Sequence, residues 1–152
     1  EGVLYGLEQN PANLLPRIME VACGMREKMK IFGNDYDTRD GTCIRDYVHV
    51  SDLAVAHVKA LDYITKNNES LTVNLGSETG TSVTEMVDAA RRITGHPIPA
   101  DYVERRPGDP ACLVASAKYA QEKLGWKPLY SDIDTLIDST YKAYQKYNSG
   151  KK

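Results

Sequence analysis

Hydrophobic positions recur at helical spacing over several stretches of the chain. Asn13 precedes Leu14, Leu15, Ile18, Met19, Val21 and Ala22, one helical face that Gly24 can close. Ser51 is a good N-cap and Asp52 suits a positive helix start; Leu53, Val58, Leu61 and Ile64 then share one face. Ser82 and Glu85 have capping-box spacing ahead of Val83, Met86, Val87, Ala90 and Ile93, with Gly95 and Pro97 as stops. Ser116 opens a short helix that ends near Gly125. Ser131 and Asp134 suggest the cap of a last helix faced by Ile133, Leu136, Ile137, Tyr141 and Tyr144. Residues 148–152 should fray.

Strands are predicted over 30–32, 44–50, 71–75 and 100–103. In 44–50, Ile44, Asp46, Val48 and Val50 point one way and Arg45, Tyr47 and His49 the other. The 71–75 strand leads through a glycine turn into a capped helix, one β-α step of a parallel sheet. Such a strand needs neighbours, and the chain holds too few to build that sheet alone. The reading is therefore an α/β chain with mixed helices and short strands, whose 71–75 strand belongs to a sheet elsewhere. The start at Glu1 and the lack of periodicity over 1–10 suit a piece of something longer.

Composition adds limits. A chain of 152 residues, 41% hydrophobic and 26% charged, can bury one core as a soluble domain. A net charge of −2 gives no basic field for nucleic acid or an anionic membrane. No apolar run is long enough to span a bilayer. Cys23, Cys43 and Cys112 are odd in number and lack metal-ligand spacing, so they read as reduced thiols of a cytoplasmic protein.

Most candidate chemistry is weak. The glycine loop 76–82 is one residue short of phosphate-loop spacing and lacks its lysine, so it reads as a strand-to-helix turn. Asp35, Asp37 and Asp40 hint at a calcium loop that Arg39 and a missing glutamate spoil. His49, His57 and His96 form no metal pair. Two arginine sites are more telling. Arg45 follows a polar loop, and Arg105-Arg106-Pro107-Gly108-Asp109 makes a constrained turn. An arginine fork donates parallel hydrogen bonds to a diphosphate, and an aspartate accepts from sugar hydroxyls. On residue chemistry alone, pairing of Arg45 with Asp46 or Asp40 and a solvated turn remain open.

The run Ile31-Phe32-Gly33-Asn34-Asp35-Tyr36, Thr38, Asp40-Gly41-Thr42 and Arg45-Asp46-Tyr47-Val48-His49-Val50-Ser51-Asp52-Leu53-Ala54 resembles UDP-glucose 4-epimerases. These belong to the extended short-chain dehydrogenase/reductase superfamily. Further matches are Pro11-Ala12-Asn13-Leu14-Leu15-Pro16, Val73-Asn74-Leu75-Gly76, the Arg105 to Asp109 turn and Leu124-Gly125-Trp126-Lys127-Pro128. The resemblance implies that residues 1–152 are the carboxy-terminal UDP-sugar-binding part of such an enzyme. An amino-terminal Rossmann domain would hold NAD and the catalytic tyrosine-lysine pair, and would complete the sheet that the 71–75 strand joins. The complete isomerase would interconvert UDP-galactose and UDP-glucose through an NAD-dependent 4-keto intermediate, as a homodimer. Another nucleotide-sugar epimerase, decarboxylase or dehydratase, or a non-catalytic binding module, is the alternative.

By the same resemblance, Asn13 and Leu14 would start a helix at the nucleotide. Lys30, Ile31 and Phe32 would line the uracil. Arg45 and Arg106 would grip the diphosphate, and Asp109 a ribose hydroxyl. Cys112 stands where some members carry tyrosine, leaving room for an N-acetyl group on the sugar. No catalytic residue is expected in this chain, which alone would be inactive and prone to self-association.

Overall fold

The computed structural model describes residues 11–149; the reading of 1–10 and of the last three residues lies outside them. The element order is α1 (Leu14–Ala22), β1 (Met29–Phe32), β2 (Ile44–Arg45), α2 (Val50–Asn67), β3 (Thr81–Ser82), α3 (Val83–Thr94), β4 (Ala100–Val103), β5 (Cys112–Leu113), α4 (Lys118–Leu124) and α5 (Ile133–Ser149). The chain is a mixed α/β structure in which short strands join helices.

Helices α1, α3 and α5 pack on one another. Their apolar stripes close a core containing Ile18, Met19, Met86, Val87, Ala90 and Ile137. The predicted capping box is present: the Ser82 hydroxyl accepts from the Glu85 amide and the Glu85 carboxylate accepts from the Ser82 amide. Strands β1 and β4 pair in parallel, with Met29 opposite Ala100 and Phe32 opposite Val103. A second sheet has the order β3-β2-β5, antiparallel on one side of β2 and parallel on the other. A separate cluster of Ala56, Ala117, Ala120, Leu124 and Trp126 sits where α2 meets α4.

Four expectations change. The 44–50 strand shrinks to Ile44–Arg45 because side chains take over the next backbone contacts. Asp46 accepts from the amide and hydroxyl of Ser77 and from the Ala115 amide. The amide of His49 donates to Ser131 Oγ. Helix α2 accordingly starts at Val50, and its cap is His49, whose Nδ1 accepts from the Ser51 amide, rather than Ser51.

Second, residues 71–75 pair with no strand among the described residues. They keep a strand's alternation: Leu71, Val73 and Leu75 turn inward onto the Trp126 cluster, and Thr72 and Asn74 outward. A ladder needs a partner, and no strand lies beside them here. Third, α2 shows its apolar residues to the outside. Val58, Leu61 and Ile64 are exposed, while Asp52 and Ala56 face inward.

Fourth, two caps move. Ala117, not Ser116, precedes α4. At α5, Asp132 accepts from the Thr135 amide. Ser131 turns away to donate to Asp52, and Asp134 pairs with Arg92. Residues 148 and 149 are the last two of α5.

Asp52 is the hub of this corner. It is 2% exposed and accepts from the amides of Leu129 and Tyr130 and from the Ser131 hydroxyl. Burial alone would raise its pKa, but these three donors together hold the carboxyl below the usual range. A group with a lowered folded pKa contributes stability above its unfolded value of about 3.9, and that contribution is lost as pH falls through the folded value. Asp52→Asn should therefore destabilise the chain at neutral pH. The gap in urea midpoint between parent and variant should narrow below about pH 4. A gap unchanged down to about pH 2 would remove Asp52 from the acid response.

Candidate functional site

A cleft of about 550 Å³ opens where α1, β1, β2 and the 104–110 loop meet. Strand β1 builds one wall: Ile31 is buried, while the side chain of Lys30, on the opposite pleat, is exposed. Phe32 ends the strand, and Gly33 turns the chain with φ +82°. A Cβ at Gly33 would lie 2.5 Å from the Tyr36 ring, so glycine is required there.

Strand β4 runs beside β1 and releases the loop carrying Arg105 and Arg106. The two arginines diverge. The Arg106 guanidinium lies over the Phe32 ring, 3.9 Å from its centroid, inside the cleft. Arg105 lies over Tyr36 at 4.1 Å and pairs with Asp35, outside it. A depression of about 620 Å³, more open to solvent, lies on that outer side, between Gly33 and Arg105. It is open and holds no free cation pair, so the Arg45–Arg106 cleft is the better candidate.

Arg45 closes the opposite wall. Its Nη1 donates to the carbonyls of Ile44 and Pro110 at 2.8 and 2.9 Å, and its Nη2 to Asp109 at 3.0 Å. The partner is thus Asp109, and neither Asp46 nor Asp40. Asp46 holds Ser77 and Ala115; Asp40 holds Thr42 and Ser82. This arrangement ties β2 to the end of the arginine turn and leaves Arg45 donors unspent for an anion.

Of the residues singled out in the sequence, Leu14, Lys30, Ile31, Phe32, Arg45, Arg106 and Asp109 line this one cleft. Asn13 is the N-cap of α1 and makes no side-chain cap bond; its neighbours Ala12 and Leu14 form the lining. Cys112 lies in β5 opposite Ile44, exposed and outside the lining.

The structure also brings Arg17, Arg26 and Lys28 to the cleft. With Lys30, Arg45 and Arg106 they face one lining carboxylate, Asp109, and Glu20 and Asp101 answer three of them from nearby. The cleft is therefore basic in a chain of net charge −2. Arg17 was readable as the α1 residue three after Leu14; Arg26 carried no signal. Tyr47 and Cys43 complete the wall. Burial pushes the Tyr47 phenol up to about 12 and raises the Cys43 thiol, so both stay neutral at pH 7. The cleft can grip an anion next to an aromatic face.

Other motifs are accounted for by packing. In the 76–82 loop, a Cβ on Gly76 would meet Asp46, and one on Gly80 would meet Val114 and Ile44. The loop is filled by its own chain and does not fit a dinucleotide. Among the described residues, Tyr119 and Lys123 have Tyr-x-x-x-Lys spacing, the pair expected in the amino-terminal domain. They lie on α4, with Tyr119 exposed and Lys123 over its ring at 5.7 Å, outside the cleft lining. Nothing about them makes a catalytic pair. His49 bonds Ser139, His57 the Leu53 carbonyl, and His96 Tyr141.

Fold and site together define a mixed α/β chain built around a basic cleft with one aromatic wall. A family model described as GDP-mannose 4,6 dehydratase matches residues 2–140, and the chain belongs to that family. A UDP-glucose 4-epimerase from Streptococcus mutans is 49% identical over 146 residues, which are 95% of this chain and 44% of that protein. A crystal structure of a UDP-glucose 4-epimerase superposes with a TM-score of 0.93 at 47% identity, covering 97% of this chain and 45% of the other. The enzyme from Bifidobacterium longum, solved with NAD+ and UDP, gives 0.84 at 41% identity over 92% of this chain and 41% of its own. The chain thus spans less than half the length of the relatives it matches.

Proposed function

We propose that residues 1–152 are the UDP-binding, carboxy-terminal part of a UDP-glucose 4-epimerase whose amino-terminal Rossmann domain lies outside this chain. The observation that carries the reading is the single cleft in which Arg45, paired to Asp109, faces Arg106 stacked on Phe32. Arg45 and Arg106 would hold the diphosphate between them. Asp109, fixed by Arg45, would accept from a ribose hydroxyl. Lys30, Ile31 and Phe32 would line the uracil, and the first turn of α1, with Asn13 and Leu14, would direct main-chain amides to the nucleotide. In the complete enzyme, NAD held by the amino-terminal domain would supply hydride acceptance and return at the sugar, and this chain's part would be binding and orientation.

Two features support a partner domain. The 71–75 segment is extended without a ladder, and α2 leaves Val58, Leu61 and Ile64 exposed. A Rossmann domain placed there would add strands beside the first and cover the second. In its absence these surfaces favour self-association. The complete enzyme is proposed as a cytoplasmic homodimer; no helix among the described residues is long and apolar enough to cross a membrane.

The test is an assay of the longer protein and of this chain with UDP-galactose. Interconversion should appear only with the longer protein, and turnover by the 152 residues alone would overturn the division of labour. Cys112 is proposed to leave room for N-acetylated sugars. In the longer protein Cys112→Tyr should abolish activity on UDP-N-acetylgalactosamine and spare UDP-galactose; equal loss on both would sink the assignment.

A further inference from the structure

Tyr36 is a buried group that the binding scheme leaves unused. It is 5% exposed, and its hydroxyl forms no hydrogen bond with any described residue. The ring is held on every side. Arg105 lies across it at 4.1 Å, Gly33 backs onto its edge, its amide donates to the Gly41 carbonyl, and its own carbonyl accepts from Thr38. The surrounding loop is fixed in turn: Asp40 accepts from Thr42 and Ser82, and Arg39 pairs with Glu85. Tyr36 therefore cannot swing its hydroxyl out to water without undoing the loop.

Tyr36 does not line the cleft itself; its ring belongs to the core that backs the cleft wall. Tyr36 packs in the same core as Cys43, a lining residue, with Tyr47 and Ala111 against that core. The charged and titratable groups around its phenol are Asp109, Cys43, Arg105 and Arg45. Burial is the largest influence on it and raises its pKa, so it stays a neutral donor. A buried donor without an acceptor destabilises the state that contains it, so a group of this kind calls for a partner.

The site supplies a reason for that other state. Asp109 rests on one Arg45 nitrogen, and Arg45 is also the cation that an incoming diphosphate would draw on. With the anion in place, Asp109 shares its counter-charge and faces a like charge nearby. It then needs a donor that does not compete for the phosphates. We infer that Tyr36 is a positioning residue of this cleft, its hydroxyl donating to the Asp109 carboxylate when a nucleoside diphosphate is bound. The inference rests on the diphosphate reading of the cleft. It makes the loop of residues 34–42 part of ligand recognition, although none of its side chains lines the cleft.

The experiment compares Tyr36→Phe, Asp109→Asn and their combination in the longer protein, with UDP as ligand. Calorimetry reads affinity and thermal unfolding reads stability with and without UDP. Tyr36→Phe keeps the ring, so unliganded Tm should be unchanged or raised, while UDP affinity should fall about tenfold. In the Asp109→Asn background the same substitution should cost much less affinity, so that the two sites couple only with UDP bound. Unchanged affinity in Tyr36→Phe, an equal loss in both backgrounds, or a lowered unliganded Tm would each overturn the inference. Arg45→Ala is the control for the underlying reading: unchanged UDP binding there would remove the diphosphate site itself, whereas a loss there with none in Tyr36→Phe would remove only the role of Tyr36.

Discussion

Arg45→Ala should weaken UDP binding by the longer protein by about two orders of magnitude. Hydrogen bonds to charged groups contribute about 1.5–3 kcal/mol each, and about 1.4 kcal/mol is a factor of ten. The substitution removes the guanidinium and also leaves Asp109 without its partner at the edge of the basic cleft. The carbonyl of Pro110 loses its donor as well, so the arginine turn is no longer tied to β2. Arg45→Lys restores a charge without the fork and should recover only part of the loss, because one ammonium cannot serve two carbonyls, a carboxylate and a ligand in fixed directions. Titration calorimetry with UDP is the measurement. Binding within twofold of the parent would exclude Arg45 from the site.

Trp126→Ala carries the largest expected effect on stability. The side chain is fully buried and is the bulkiest such group in the chain. Its indole Nε1 donates to the Asp52 carbonyl at 2.8 Å, joining the Trp126 cluster to the hub at the start of α2. Removing it should cost about 3–5 kcal/mol from lost contact and the cavity left behind. Trp126→Phe should cost less, since it refills most of the volume, although it still forfeits the hydrogen bond. Urea denaturation of both variants checks the order. An alanine variant within about 1 kcal/mol of the parent would show that the site collapses to fill the space.

Local patterns were legible where a few neighbouring residues decide the outcome. The Ser82–Glu85 box, the α1 stripe and the strand at Ala100–Val103 all appear as the sequence predicts them. Readings failed where a side chain found its partner far along the chain. Asp46 looked like a strand residue and is instead an acceptor for backbone 31 positions away. Asp52 does stand in the first turn of α2 as read, but its acceptor role for backbone 77 positions away was hidden. Arg45 had two aspartates close in sequence and pairs with one 64 residues downstream. The inward or outward sense of α2 was also hidden: periodicity gives a face, but not what covers it. The candidate site was more readable than the fold around it, because Arg45, Arg106 and Phe32 drew attention by chemistry. Arg17, Arg26 and Lys28 are ordinary surface cations until the chain folds around them.

The divergence of Arg105 and Arg106 has a consequence for how this turn can change. One arginine locks the loop through Tyr36 and Asp35, and the next reaches the cleft over Phe32. Exchange of a turn residue such as Pro107 alters one side chain. Insertion of a single residue between Val103 and Arg105 would carry Arg105 to the place from which Arg106 now reaches the cleft and push Arg106 on to the place of Pro107. The spacing from the end of β4 to Arg106 should therefore tolerate far less variation than the identity of the residues that fill it.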